Sequence, residues 1–116
     1  MPDKYLLHCE NESQAIGTLL VDFDNDRFEI DENPNYAGPL PFFLNCPGAV
    51  MPLPERIKLW ITERAPEPNY AFIDTLVEKT GLKEYDAYGF FKYNHGRFIT
   101  DKFYVEAITC QINKLP

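Results

Sequence analysis

A chain of 116 residues, 45 % hydrophobic and 15 % aromatic, has the size and make-up of one packed domain, which excludes a disordered chain. Its net charge of −7 is uneven: residues 1–50 set nine acids against Lys4 and Arg27, while residues 51–116 balance nine acids with nine bases. The acidic half repels phosphate and so disfavours direct nucleic-acid binding; it suits a solvated face or a basic protein partner.

Three cysteines, Cys9, Cys46 and Cys110, are too few, too widely spaced and odd in number for a disulfide framework, which points to a reducing, cytoplasmic setting. No apolar run approaches a membrane span and no basic-then-apolar leader opens the chain, so neither a membrane segment nor a signal peptide is expected.

Residues 4–9 read as a short strand. In the following AIGTLLVDFDNDRFEID, Leu19, Val21 and Phe23 alternate with Leu20, Asp22 and Asp24, and Phe28 and Ile30 alternate with Glu29 and Asp31. Period two on either side of Asp24-Asn25-Asp26 predicts a β-hairpin, and residues 4–31 together predict an antiparallel meander. The Asp22-x-Asp24-x-Asp26 spacing hints at a calcium loop. Arg27 and Asn33 stand where such a loop needs Gly and Glu, so metal binding is not expected there.

Residues 33–53 are rich in Pro and apolar side chains. Five prolines forbid a long helix or central strand. Leu40, Phe42, Phe43, Leu44, Val50 and Met51 are too apolar for an idle loop. Two readings stand: an extended segment crossing the core near residues 41–45, or an exposed patch that meets a partner.

Three helices are predicted next, over about 54–64, 70–80 and 86–94. Pro54 suits a first helical residue; Ile57, Trp60 and Ile61 share one face. Pro66-Glu67-Pro68 ends this helix. Asn69 is a candidate N-cap for the second, with Phe72, Ile73, Leu76 and Val77 on one face and Gly81 at its end. Asp86 is a candidate cap for the third, with Phe90 and Phe91 inward and Asn94-His95-Gly96 closing it. RFIT and FYVEAI, within residues 97–108, predict one or two terminal strands, and the last residues should fray.

Catalytic signals are sparse. The single Ser lies in a predicted turn, and no Gly-rich phosphate loop occurs. His8 and His95 are far apart. Neither spacing supports a Cys–His nucleophile pair or a metal site. The positive signal is aromatic and Arg content near the first helix: Trp and Arg are enriched at interface hot spots, and Trp60, Arg64 and Glu67 make a plausible contact point. With Ile57 and Ile61 on the same face, the spacing taken alone favours Trp60 as the core anchor of its helix.

The order of these pieces resembles the amino-terminal subdomain of HipA-like kinases, which also exists as a separate small HipS-like protein in three-part toxin–antitoxin modules. AIGTLLVDFDNDRFEI is similar to the family's opening hairpin. PNYAGPLPFFL is similar to its Tyr-then-Pro-Leu-Ser segment, RIKLWITERAPEP to the helix ending in a Leu-Pro-Glu-Gly turn, and LKEYDAYGFFKYNHGRF to its Asp-containing short helix. No Ser follows Leu40, and Pro68 stands where the family has Gly. No kinase motif is present, so the resemblance implies not a kinase but an antitoxin-like partner of a separately encoded HipA-like Ser/Thr kinase. It implies that Trp60 presses toward the kinase site with Arg64 and Glu67 beside it.

The expected protein is a single α+β domain: a small antiparallel sheet of four to five strands with two to three helices on one side. It is expected to be cytoplasmic and non-catalytic, binding neither cofactor, metal, membrane nor nucleic acid. It should contact a protein through Trp60, Arg64, Glu67, Phe42 and Phe43. A stand-alone homodimer formed through residues 39–53 is the competing reading, and a small enzyme the third.

Overall fold

A computed structural model describes residues 2–108. Strands β1 (Asp3–Cys9), β2 (Gly17–Asp22) and β3 (Arg27–Glu32) are followed by helices α1 (Leu53–Glu63), α2 (Ile73–Thr80) and α3 (Ala87–Tyr93), then strand β4 (Phe103–Ala107). The strands form one antiparallel sheet in the order β3-β2-β1-β4, an α+β architecture.

Alternation along the strands decides which face is covered. Tyr5, Leu7 and Cys9 of β1, Leu19 and Val21 of β2, Phe28 of β3 and Val105 of β4 are all buried. Side chains two apart point the same way, so these form one apolar face. The registers agree: Tyr5 lies opposite Leu19, Val21 opposite Phe28 and Leu7 opposite Val105. The helix α1 lays Ile57, Trp60 and Ile61 on this face, and α3 adds Phe91. A chain of ring contacts ties the layers together: Phe43 to Trp60 at 5.2 Å, Trp60 to Phe91 at 6.0 Å and Phe91 to Tyr5 at 6.0 Å. Edge-on aromatic pairs of this kind add about 0.5–1.5 kcal/mol each beyond their buried area.

Several local expectations need correction. Residues 41–45 are not an extended strand. Leu44 and Asn45 both donate to the Pro41 carbonyl, which makes a tight turn, and that turn drives Phe43 into the core at 0 % exposure. The helix α2 starts at Ile73 rather than near residue 70, and Asn69 does not cap it. Tyr70 N–H donates to Glu67 O and Ile73 N–H to Tyr70 O, so the chain after Pro68 runs as successive turns. Arg97–Thr100 is no strand: His95 and Gly96 both take positive φ, and Asp101 N–H donates back to Phe98 O. The caps at the other ends follow the side chains. Asp86 accepts from Tyr88 N–H at the start of α3, and Gly81 takes φ 81° after α2. The expected fraying and Cys110 fall in 109–116, outside the described residues.

Candidate protein-binding surface

Arg64 is the residue around which the surface is built. It follows the last turn of α1, one position beyond Glu63, and its side chain bends under the loop joining α3 to β4. Its Nε donates to Gly96 O at 2.5 Å, Nη1 to Asp101 Oδ2 at 2.8 Å, and Nη2 to Asp101 Oδ1 at 2.6 Å and Phe103 O at 3.0 Å. The guanidinium lies over the Trp60 ring at 4.2 Å and faces Phe98 at 5.5 Å. A planar fork suits this position, because it satisfies several acceptors while stacking on aromatic faces. Burial raises the Asp101 carboxyl pKa, but the Arg64 hydrogen bonds, the Phe103 N–H and the Arg64 charge outweigh it and leave the group below its ordinary range.

The same network occupies the first part of the outer edge of β4. Phe103 N–H donates to Asp101, Phe103 O accepts from Arg64, and Val105 N–H donates to His95 O at 2.8 Å. These groups are therefore spent and offer no template for another strand.

Three shallow hollows adjoin Arg64. One, about 220 Å³, runs between Phe42 and Phe98; one, about 260 Å³, between Pro66, Leu76, Phe90 and Tyr93; the third, about 510 Å³, between Tyr70, Leu76, Phe98 and Ile99. Together they make an open apolar groove. Phe42 is 43 % exposed, Tyr70 48 %, Tyr93 52 %, Phe98 39 % and Ile99 96 %. Large apolar groups clustered at the surface mark contact sites more often than scattered ones do.

The five residues expected at a partner contact divide. Phe42 and Glu67 are exposed and line the groove. Trp60 at 3 % exposure and Phe43 at 0 % are core, packed edge-on against each other; Trp60 reaches only the floor of the hollow between Phe42 and Phe98, and Phe43 does not reach it. That corrects the expected surface role of Trp60: its ring bridges Phe43 and Phe91 and supports Arg64. Arg64 is also buried, at 7 %, and acts from beneath the surface. Tyr70, Tyr93, Phe98 and Ile99 were not picked out by the sequence. The signal available was RFIT, whose apolar pair read as strand alternation until the turn at residues 98–101 turned it outward.

Other chemistry-bearing groups lie apart. His8 Nε2 pairs with Glu106 Oε1 at 3.0 Å and stacks on Tyr104, on the sheet face away from the core, whereas the adjacent Cys9 is buried in the core. His95 sits in the turn after α3 with φ 55°. Asp22 closes the hairpin turn by accepting from the side chain and backbone of Asn25. Among the described residues no group of three His, Cys, Asp or Glu is placed to hold a metal ion. No helix among them is long and apolar enough to cross a membrane. Comparison with family models, curated proteins and solved structures found no match for this chain.

Proposed function

We propose that this chain is a non-catalytic, cytoplasmic protein-binding module that docks on another polypeptide through the groove around Arg64. The observation that carries the reading is the cluster of half-exposed Phe42, Tyr93 and Phe98, with the fully presented Ile99, on a frame held by the bonds of Arg64. Anchors on a rigid frame lose little side-chain freedom on binding, which favours affinity. The order-and-spacing resemblance described above makes a HipA-like Ser/Thr kinase, encoded as a separate chain, the expected partner, with an antitoxin-like role. In that pairing Phe42, Phe98 and Ile99 take the contact role first assigned to Trp60.

The test is a calorimetric titration with a purified HipA-like kinase core lacking its own amino-terminal subdomain. Binding by the native chain, weakened roughly tenfold or more by a Phe98→Ala, Ile99→Ser pair, supports the reading, since removing hot-spot groups typically costs more than 1 kcal/mol. Binding unaffected by that pair removes the groove from the proposal, and no binding by the native chain removes the kinase.

A homodimer is the second reading. Val50 at 98 % exposure, Met51 at 41 % and Leu40 at 36 % place apolar groups outward along residues 39–53. A solution mass of twice the monomer, abolished by Val50→Asp, would favour it.

A further inference from the structure

We infer that residues 66–86 form a hinged arm that opens and closes as a unit while the sheet, α1 and α3 stay folded. No residue from Pro66 to Asp86 is buried, although Ala65 before it and Gly89 after it are. The core cluster, including the partly buried groups packed against it, takes no member from this stretch. The helix α2 lies within it and buries none of its 8 residues. Meanwhile α1 and α3 touch each other directly, so the fold closes beneath the arm without it.

The arm packs mainly on itself. Ile73 and Val77 share a hollow with Pro68, Leu82 and Tyr85, all from the same stretch. Leu82 N–H donates to Val77 O, which folds the chain after α2 back onto its own last turn. The arm's contacts with the body are few: Leu76 faces Phe90 and Tyr93, Tyr85 lies against the Phe90 ring at 5.6 Å, and Leu82 approaches Gly89. At the neck, Tyr85 OH donates to Pro66 O at 2.8 Å. Pro66 and Pro68 stiffen one side of the neck, and the other side enters α3 at the Asp86 cap. A segment with few buried apolar contacts opens at a fraction of the free energy of global unfolding. This arm is such a segment: one hydrogen bond draws its two ends together, and a few half-exposed apolar contacts lay it on α3.

The consequence for the groove is asymmetry. The Phe98 side is fixed by Arg64, whereas the Leu76 side moves with the arm. The inference rests on burial along the chain and not on any occupant, so it stands or falls separately from the kinase reading.

Native-state hydrogen exchange of the full chain, read at increasing sub-denaturing urea, tests it. The amides of α2 should exchange roughly 100-fold or more faster than those of α1 and β1, and should share one urea dependence, smaller than that of α1 and β1. Tyr85→Phe should speed α2 exchange further and leave α1 and β1 unchanged. The inference is overturned if α2 shares the protection and urea dependence of α1. It is likewise overturned if Tyr85→Phe speeds exchange in α1 and α2 together.

Discussion

Arg64 grips Asp101 with both terminal nitrogens, at 2.8 and 2.6 Å, while its Nε is spent on Gly96 O. The side chain of Arg64 is 3 % exposed and that of Asp101 29 %, so the pair is neither a surface ion pair nor a fully buried one. Its value lies in completeness: every guanidinium nitrogen has an acceptor, and the carboxylate also takes Phe103 N–H. Arg64→Ala leaves Asp101 with only the Phe103 N–H, leaves the Gly96 and Phe103 carbonyls without the donors Arg64 supplies, and strips the support from Phe98. Truncating one partner of a largely buried pair costs about 3–5 kcal/mol, and the solvent access of Asp101 places the loss at the lower end. Urea unfolding followed by Trp60 fluorescence measures it. Arg64→Lys should recover only part, because an ammonium cannot fork or stack as the guanidinium does.

The pair also sets an acid dependence. The Asp101 pKa is lower in the folded protein than in the unfolded chain. Its contribution to stability is therefore fully present above the ordinary carboxylate pKa and is lost as pH falls through the folded value. The difference in unfolding free energy between the native protein and Asp101→Asn should be constant near neutrality and shrink below about pH 4. A difference that grows on acidification contradicts the assignment.

Trp60 separates core from contact. Removing its ring should cost about 3–5 kcal/mol, as large-to-small core changes of this kind do, because Phe43, Phe91 and Arg64 all lean on it. Trp60→Phe keeps an aromatic in place. A kinase partner that binds the native chain should bind this variant with unchanged affinity once folding is confirmed by circular dichroism. A clear loss of affinity with the fold intact would restore Trp60 as a contact residue.

Gly17 tests the sheet register. A Cβ added there would sit 2.5 Å from Asp31 O, a backbone atom of the paired strand β3. Neither strand can yield without breaking the ladder, so Gly17→Ala should destabilise by about 1–3 kcal/mol, the range for overpacking. Thermal unfolding reads this directly.

Ile99 is the matching control. At 96 % exposure it leaves almost nothing to lose, and Ile99→Ser should change stability by no more than about 0.5 kcal/mol. A large loss would mean that the turn at residues 98–101 depends on this side chain.

Much of the fold was legible along the chain. The alternation through Leu19, Val21, Phe28 and Ile30 and the turn residues between them specified the hairpin of β2 and β3 locally. The spacing of Ile57, Trp60 and Ile61 specified the buried stripe of α1. The site was less legible. Phe42 and Phe43 are identical in type and adjacent, yet one is 43 % exposed and the other 0 %. Only the turn at Pro41 sends them to opposite sides, and its closing bonds are set by the chain around it. Arg64 carried no local sign that it would be buried, because its acceptors lie 32 to 39 residues further on.

The sequence by itself determined the elements whose pattern repeats at short range: the strands, the apolar stripe of α1, the Asp86 cap and the left-handed Gly81. Tertiary structure alone decided that Phe98 and Ile99 face outward, that Phe42 and Phe43 part company, and that Arg64 lies beneath the surface. The physical reason is range. Periodicity and capping act within a few residues, whereas burial of a given ring depends on which distant segments arrive to cover it.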